Sequence, residues 1–175
     1  LRYLYVRHQW RQQIHAEAQA RVQALQARIR PHFLFNSMNV IASLTRTDPA
    51  LAEEAVEDLA DLFRASLADA SKPLTLAEEI EIARRYLRIE QLRLGERLVV
   101  QWRIDDVPMD ALVPALLIQP LLENAIYHGV EPRSAGGTIS LGARSDGRRV
   151  FIEIHNPLPE NNWASKPNGN RTRLP

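Results

Sequence analysis

The chain has 175 residues, of which 45% are hydrophobic and 25% charged, enough for one domain or two small ones. Its 22 lysines and arginines nearly balance 21 acidic residues, so there is no basic footprint and we predict no nucleic-acid partner. The absence of cysteine excludes disulfides, thiolate metal sites and cysteine nucleophiles, and no apolar run is long enough to cross a bilayer.

The first residues allow two interpretations. Residues 1–11 mix tyrosine and tryptophan with arginine, as a segment just cytoplasmic of a membrane helix would. The other interpretation is the start of an amphipathic helix cut from a longer chain. Because the chain starts in mid-pattern without a methionine, we expect a fragment. Residues 8–30 lack Gly and Pro, and their narrow apolar stripe predicts a helix suited to a dimeric coiled coil.

Pro31 should kink this helix, and the apolar pattern then continues to about residues 45–48. Asp48-Pro49 has the form of an N-cap followed by a proline in the first turn, which predicts a second helix over residues 49–70. Its apolar side chains are expected on one face and its acidic ones, including Asp58, on the other. Two such helices form an antiparallel hairpin, and their wide apolar stripes favour a dimeric four-helix bundle.

The pattern changes after Ser71-Lys72-Pro73, where we place a domain boundary. Thr75 and Glu78 have the spacing of a capping box, which opens a third helix expected to run to Leu94 and to end at Gly95. The following elements are a strand at Leu98–Ile104, a helix over residues 112–129 containing two prolines, and strands at residues 138–143 and Val150–His155 joined by Ser145-Asp146-Gly147. The predicted fold class is therefore α+β.

His32 is the histidine in the most informative setting. It follows Pro31, and Asn36 lies one helical turn later, so the two side chains should project together, with Arg28 on the same stripe. An imidazole beside a carboxamide and a guanidinium could accept a phosphoryl group, since its ring nitrogen is a nucleophile and arginine binds phosphate. A core histidine bonded to an asparagine is the other interpretation, and spacing alone favours it.

A second polar group interrupts the apolar helix predicted over residues 112–129. Glu123 and Asn124 lie among leucines and isoleucine, and polar side chains buried without partners are costly. Their oxygen atoms would suit Mg²⁺ carrying a nucleotide phosphate. A helix turn facing solvent explains them equally well.

Three segments, in this order, resemble the LytS-type sensor histidine kinases. They are Arg30-Pro-His-Phe-Leu-Phe-Asn-Ser-Met-Asn39, Tyr86-Leu-Arg-Ile-Glu-Gln-Leu-Arg93 and Leu117-Ile-Gln-Pro-Leu-Leu-Glu-Asn-Ala-Ile-Tyr-His-Gly129. The resemblance implies a dimerisation and phosphotransfer hairpin over residues 12–72, in a dimeric four-helix bundle. It also implies a C-terminally incomplete Bergerat-type ATP-binding α/β sandwich with a mixed sheet over residues 73–175.

The resemblance also implies roles for particular residues and partners. His32 would accept the γ-phosphoryl group of ATP, with Asn36 beside it, and Asn124 would hold Mg²⁺ against the nucleotide. Glu123 and His128 flank Asn124 in its motif, and Asn156 falls where relatives read the adenine amino group. The implied partners are a second copy of the chain and a response regulator, of the LytTR type, with an aspartate acceptor. A membrane tether would make this the cytoplasmic portion of an inner-membrane protein.

The chain departs from the wider kinase pattern in several places. Phe33 stands where many histidine kinases carry an acidic base, Pro120 where many Bergerat ATPases carry a water-activating glutamate, and Tyr127 where many relatives carry lysine. The glycine-rich lid motif is missing from the residues after Asn156. These departures leave open an alternative, a non-catalytic dimeric module that docks a response regulator.

Overall fold

The computed structural model of the chain describes residues 31–69 and 71–158. These residues form two compact units. The helical unit contains the described residues up to Gly95 together with Pro108–Pro120, and the sheet unit contains Glu96–Val107 together with residues 121–158. The fold is mixed helix and sheet, so the predicted α+β class is confirmed. No described helix has both the length and the apolar character needed to cross a membrane.

Three helices build the helical unit: α1 (Pro31–Thr47), α2 (Pro49–Leu67) and α3 (Leu76–Leu94). Asp48 caps α2, and its side chain accepts a hydrogen bond from the backbone N–H of Leu51 at 3.1 Å. All three helices pack on one another, and their buried face is rich in alanine and leucine. The core contributed by α2 and α3 comprises Ala52, Ala55, Leu59, Leu62, Leu76, Ile80, Ala83, Tyr86, Leu87, Ile89 and Leu94.

Helix α2 ends three residues before the predicted limit at residue 70. The side chain of Asp69 accepts hydrogen bonds from the backbone N–H of Ser71 at 3.0 Å and from its hydroxyl at 2.8 Å. Short polar side chains that bond to the local backbone in this way compete with helix. The capping box at the start of α3 and the helix end before Gly95 are both as predicted.

The helix predicted over residues 112–129 is wrong in its first half. Leu112–Val113 forms β3, which pairs antiparallel with β1 (Leu74–Thr75). A turn follows, with Leu116 at a φ of 58°, and only Gln119–Ala125 is α-helical; we call this helix α4. Ile126–Val130 continues it as a single π-helical turn. Pro114 and Pro120 explain the difference, since proline cannot donate the backbone hydrogen bonds of a helix interior.

The sheet unit is a three-stranded mixed sheet. Strand β2 (Leu98–Ile104) runs parallel to β4 (Gly137–Ser145), and β4 runs antiparallel to β5 (Val150–His155), in the order β2-β4-β5. The three strands and the Asp146-Gly147 turn are as predicted. The π-helical turn packs on β4, and the buried side chains are Leu98, Leu122, Ala125, Ile126, Val130, Ile139, Leu141 and Ala143.

Some predictions concern other residues or the assembly of the chain. The coiled-coil helix and the membrane-proximal segment fall in residues 1–30, outside the described residues. The Lys72-Pro73 domain boundary, the dimeric bundle and the Bergerat-type sandwich stay predictions. Helix α3, which follows that boundary, packs on both helices that precede it.

Candidate functional site

The structure brings His32 and Asn36 together on the exposed start of α1. His32 is the second residue of the helix and is exposed. The carboxamide nitrogen of Asn36 lies 3.1 Å from His32 Nδ1 and 3.5 Å from Nε2. This is the contact expected of residues one turn apart. The imidazole is therefore open to solvent and held by a neutral amide. Arg28 lies outside the described residues.

The opposite side of this turn is anchored to α3. The ring centroids of Phe33 and Tyr86 lie 5.1 Å apart with their planes inclined at 36°, and Tyr86 is buried. The buried hydroxyl of Ser37 donates to the carbonyl of Phe33 at 2.8 Å. Such aromatic pairs add about 0.5–1.5 kcal/mol to the energy of burial. His32 thus stands on the free side of a helix turn whose other side is fixed.

Ion pairs tie α2 to α3. Asp58 is 4% exposed, and Arg88 binds it with two hydrogen bonds, Nε to Oδ2 and Nη2 to Oδ1, both 2.7 Å long. Arg85 lies 2.7 Å from Asp61 and 3.2 Å from Asp58. Hydrogen bonding to Asp58 raises the pKa of Arg88 above its usual value. The prediction that Asp58 lies on the exposed face of α2 was wrong. The side chain is buried, and the positive charges of Arg85 and Arg88 compensate for the cost of burying its carboxylate.

Glu123 and Asn124 lie on α4, near its end in the sheet unit. Asn124 is exposed and Glu123 is half-buried, whereas Leu122 beside them is fully buried. His128 is exposed on the π-helical turn that follows, and its ring meets that of Tyr127 edge to face, with centroids 4.8 Å apart. Single π-helical turns are rare and occur frequently at functional sites.

Asn156 lies against this π-helical turn. A Cβ atom on Gly129 would lie 2.4 Å from Asn156 Nδ2, so only glycine permits the approach. Asn156 Nδ2 also donates to the carbonyl of Pro157 at 2.8 Å. The structure thus places the predicted adenine-reading residue beside the end of the motif that contains His128, with its amide nitrogen already engaged.

The turn after Gly129 is hydrogen-bonded to Arg97, the residue that precedes β2. Arg97 Nη2 donates to the carbonyls of Glu131 and Arg133 at 3.0 and 2.9 Å. Gly136, at a φ of 70°, approaches the backbone of Arg97 so closely that a Cβ would lie 2.1 Å from its carbonyl oxygen. Neither residue was predicted from the sequence. The Gly136-Gly137 pair is the signal that could have indicated a close backbone approach.

The oxygen donors of α4 fit a magnesium ion that is bound mainly by phosphates. Within residues 31–69 and 71–158 no group of three or more His, Cys, Asp or Glu side chains could hold a metal ion. Magnesium commonly takes one or two protein oxygens and completes its shell with water and substrate phosphates. An exposed carboxamide such as that of Asn124 suits this arrangement.

Comparisons with known proteins decide the family. A family model described as histidine kinase matches residues 20–98. The sensor histidine kinases BtsS and YpdA of Escherichia coli (strain K12) are 38% and 36% identical over 136 residues, which cover 78% and 77% of this chain. The sensor protein LytS of Staphylococcus haemolyticus is 35% identical over 136 residues, 77% of this chain. The chain belongs to the LytS-type sensor histidine kinases.

The chain spans about a quarter of the length of those relatives: 24% of BtsS, 24% of YpdA and 23% of LytS. The matched region includes His32, all of α1, α2 and α3, and the first residue of β2.

Proposed function

We propose that the chain is the phosphoacceptor and nucleotide-binding part of a two-component sensor kinase. His32 is phosphorylated from ATP and passes the phosphoryl group to an aspartate of a response regulator. The observation that carries this proposal is the exposed imidazole of His32 with the Asn36 carboxamide 3.1 Å from Nδ1. The names of BtsS and YpdA, both sensor histidine kinases, favour a kinase over a non-catalytic module.

The acceptor chemistry requires the correct tautomer of His32. In the attacking form Nδ1 carries the proton, and the lone pair of Nε2 forms the bond to the γ-phosphorus while the bond to the β–γ bridging oxygen breaks and ADP leaves. A half-turn of the Asn36 carboxamide puts its oxygen where it accepts a hydrogen bond from the Nδ1–H group. This amide stabilises the growing positive charge on the ring but cannot remove the proton, which passes to solvent.

The sheet unit supplies the nucleotide contacts in this proposal. The carboxamide oxygen of Asn124 would hold Mg²⁺, with Glu123 and His128 flanking the phosphates, and the bound ion neutralises charge on the phosphate oxygens. Asn156 Nδ2 is engaged with the Pro157 carbonyl, so its oxygen is the atom that would accept a hydrogen bond from the adenine amino group.

The partners follow from the family. We propose that the kinase acts as a homodimer, that its response regulator is of the LytTR type, and that a membrane tether in the longer protein makes this chain a cytoplasmic portion of an inner-membrane sensor. Dimer formation is supported by the exposed apolar side chains of α1 and α2, among them Phe35, Met38 and Val56.

Labelling with γ-labelled ATP and Mg²⁺ tests the function directly. Wild type should acquire acid-labile, alkali-stable phosphate, and His32→Gln should acquire none. His155→Gln is the matched control, because His155 is also exposed but lies on β5, and it should label like wild type. Label that persists in His32→Gln, or that is absent from the wild type, would contradict the proposal.

A further inference from the structure

Glu79 is a buried acid that the proposed chemistry does not use. Its side chain, in the first turn of α3, is 1% exposed. Its carboxylate accepts three consecutive backbone N–H groups: Oε1 from Leu116, and Oε2 from Leu117 at 2.9 Å and Ile118 at 3.1 Å. All of these atoms lie in the helical unit. These three N–H donors replace the water molecules that the carboxylate loses on burial.

The same segment is held by the backbone of α3. The N–H groups of Leu76 and Ala77 donate to the carbonyls of Ala111 at 2.8 Å and Met109 at 3.0 Å. Just before them, Leu74 and Thr75 pair with Val113 and Leu112. The start of α3 therefore binds residues 109–118 through hydrogen bonds of both kinds. Its backbone N–H groups donate to this segment, and the Glu79 carboxylate accepts from it.

The turn that Glu79 holds is a strained one. Leu116 has a φ of 58°, in the left-handed region that costs a residue with a side chain about 1–3 kcal/mol. Such a conformation persists only where its surroundings impose it. Here the surrounding group is the carboxylate of Glu79, which accepts hydrogen bonds from the backbone N–H groups of Leu116 and of the two residues that follow.

We infer that Glu79 is a positioning residue for nucleotide binding. Ile118, the last N–H it holds, immediately precedes α4, so Glu79 fixes the point at which this helix begins. Glu123 and Asn124 follow on the same short helix, so the backbone that carries them begins at the point that Glu79 holds. The inference rests on the proposed function, because it assigns to α4 the binding of Mg-ATP.

Glutamine cannot replace Glu79 at this position. A carboxamide has one oxygen, and its NH₂ group would face a backbone N–H instead of accepting from it. At least one buried donor among Leu116, Leu117 and Ile118 would then lose its partner, and the strained turn would relax.

The test compares Glu79→Gln with Glu78→Gln in the full chain. Glu78 is the exposed neighbour that caps α3, so this control removes the same charge one residue away. Calorimetric titration with Mg-ATP, carried out well below each melting transition, should show about tenfold weaker binding for Glu79→Gln and wild-type binding for Glu78→Gln. Amide hydrogen exchange at Leu117 and Ile118 should accelerate only in Glu79→Gln.

The outcomes separate the two proposals. A Glu79→Gln chain that melts earlier but binds Mg-ATP as the wild type does would show a purely structural residue and overturn the inference. A wild type that fails to bind Mg-ATP would refute the proposed function, and the inference with it. If Glu79→Gln does not fold, Glu79→Asp keeps the charge, shortens the reach by one methylene and serves the same comparison.

Discussion

At the scale of single residues, Asn36 is the group through which α1 acts on the histidine ring. Replacing it with alanine removes the contact to Nδ1 without touching the buried side of the helix. We expect autophosphorylation to slow by about 10- to 100-fold, because the ring loses its orientation and its tautomer preference. The initial rate of labelling from γ-labelled ATP measures this.

Asn39→Ala is the matched control for this prediction, since Asn39 is an exposed asparagine of the same helix. It should label at the wild-type rate. Unchanged forward and reverse phosphate flux in Asn36→Ala would show that the amide has no part in orienting the ring.

Single residues also show how far a sequence can predict a site. The His32–Asn36 contact is local, and helical spacing was enough to find it. Asp58 required knowledge of Arg85 and Arg88 on another helix, although the buried stripe through Ala55, Leu59 and Leu62 passes beside it. The approach of Asn156 to Gly129 joins distant parts of the chain, so no local pattern could have predicted it.

At the scale of elements, the capping box of α3 couples helix stability to pH. The backbone N–H of Thr75 donates to the Glu78 carboxylate at 2.7 Å and its hydroxyl at 2.8 Å, and these bonds lower the pKa of Glu78 below its usual 4.5. A carboxylate with a lowered folded-state pKa stabilises the fold above its unfolded value, and this contribution disappears as the pH falls through the folded-state pKa.

We therefore predict that Glu78→Gln melts below the wild type at neutral pH, and that the gap narrows as the pH falls below about 4.5. Glutamine keeps a hydrogen-bond acceptor at this position but does not titrate. Thermal melts from pH 7 to pH 3 measure the gap. Glu53→Gln, an exposed glutamate within α2, is the control, and a gap that stays constant on acidification would contradict the prediction.

The elements that were predicted correctly are those with strong local signals. Helices α1 and α3 and all three strands of the mixed sheet have regular apolar spacing with a cap, a glycine or a turn at their ends. Residues 112–118 have apolar side chains too, but their backbone partners are Leu74, Thr75 and Glu79. These pairings hold the segment as a short strand and a turn with Leu112 and Leu117 exposed, which is why the prediction of a long helix failed there.

At the scale of the whole molecule, the helical unit presents apolar side chains that its own packing does not cover. Phe35 is 67% and Met38 56% exposed on α1, and Val56 and Leu67 are exposed at spacings that share a face of α2. A second copy of the chain would bury them in the proposed dimer. The proposed dimer therefore makes use of surface that would otherwise favour aggregation.

We predict that Phe35→Glu shifts the chain from dimer to monomer, because a charge would be buried without a partner at the helix interface. Light scattering coupled to size-exclusion chromatography gives the mass. Leu158→Glu is the control, since Leu158 is 81% exposed and lies in the sheet unit. A wild type that is monomeric at micromolar concentration, or a Phe35→Glu chain that stays dimeric, would rule out this interface.

The order of the mixed sheet has a consequence for the newly made chain. Strands β4 and β5 are neighbours along the sequence, and a hairpin of this kind closes within about 1–10 μs of its synthesis. Among the described strands β2 pairs with β4 alone, and its first contact, Leu98 with Gly137, must wait for all residues between them to leave the ribosome. During that interval the apolar side chains of Val100, Trp102 and Ile104 lie on a strand whose backbone is not yet paired with β4, and unpaired strand edges of this kind favour aggregation.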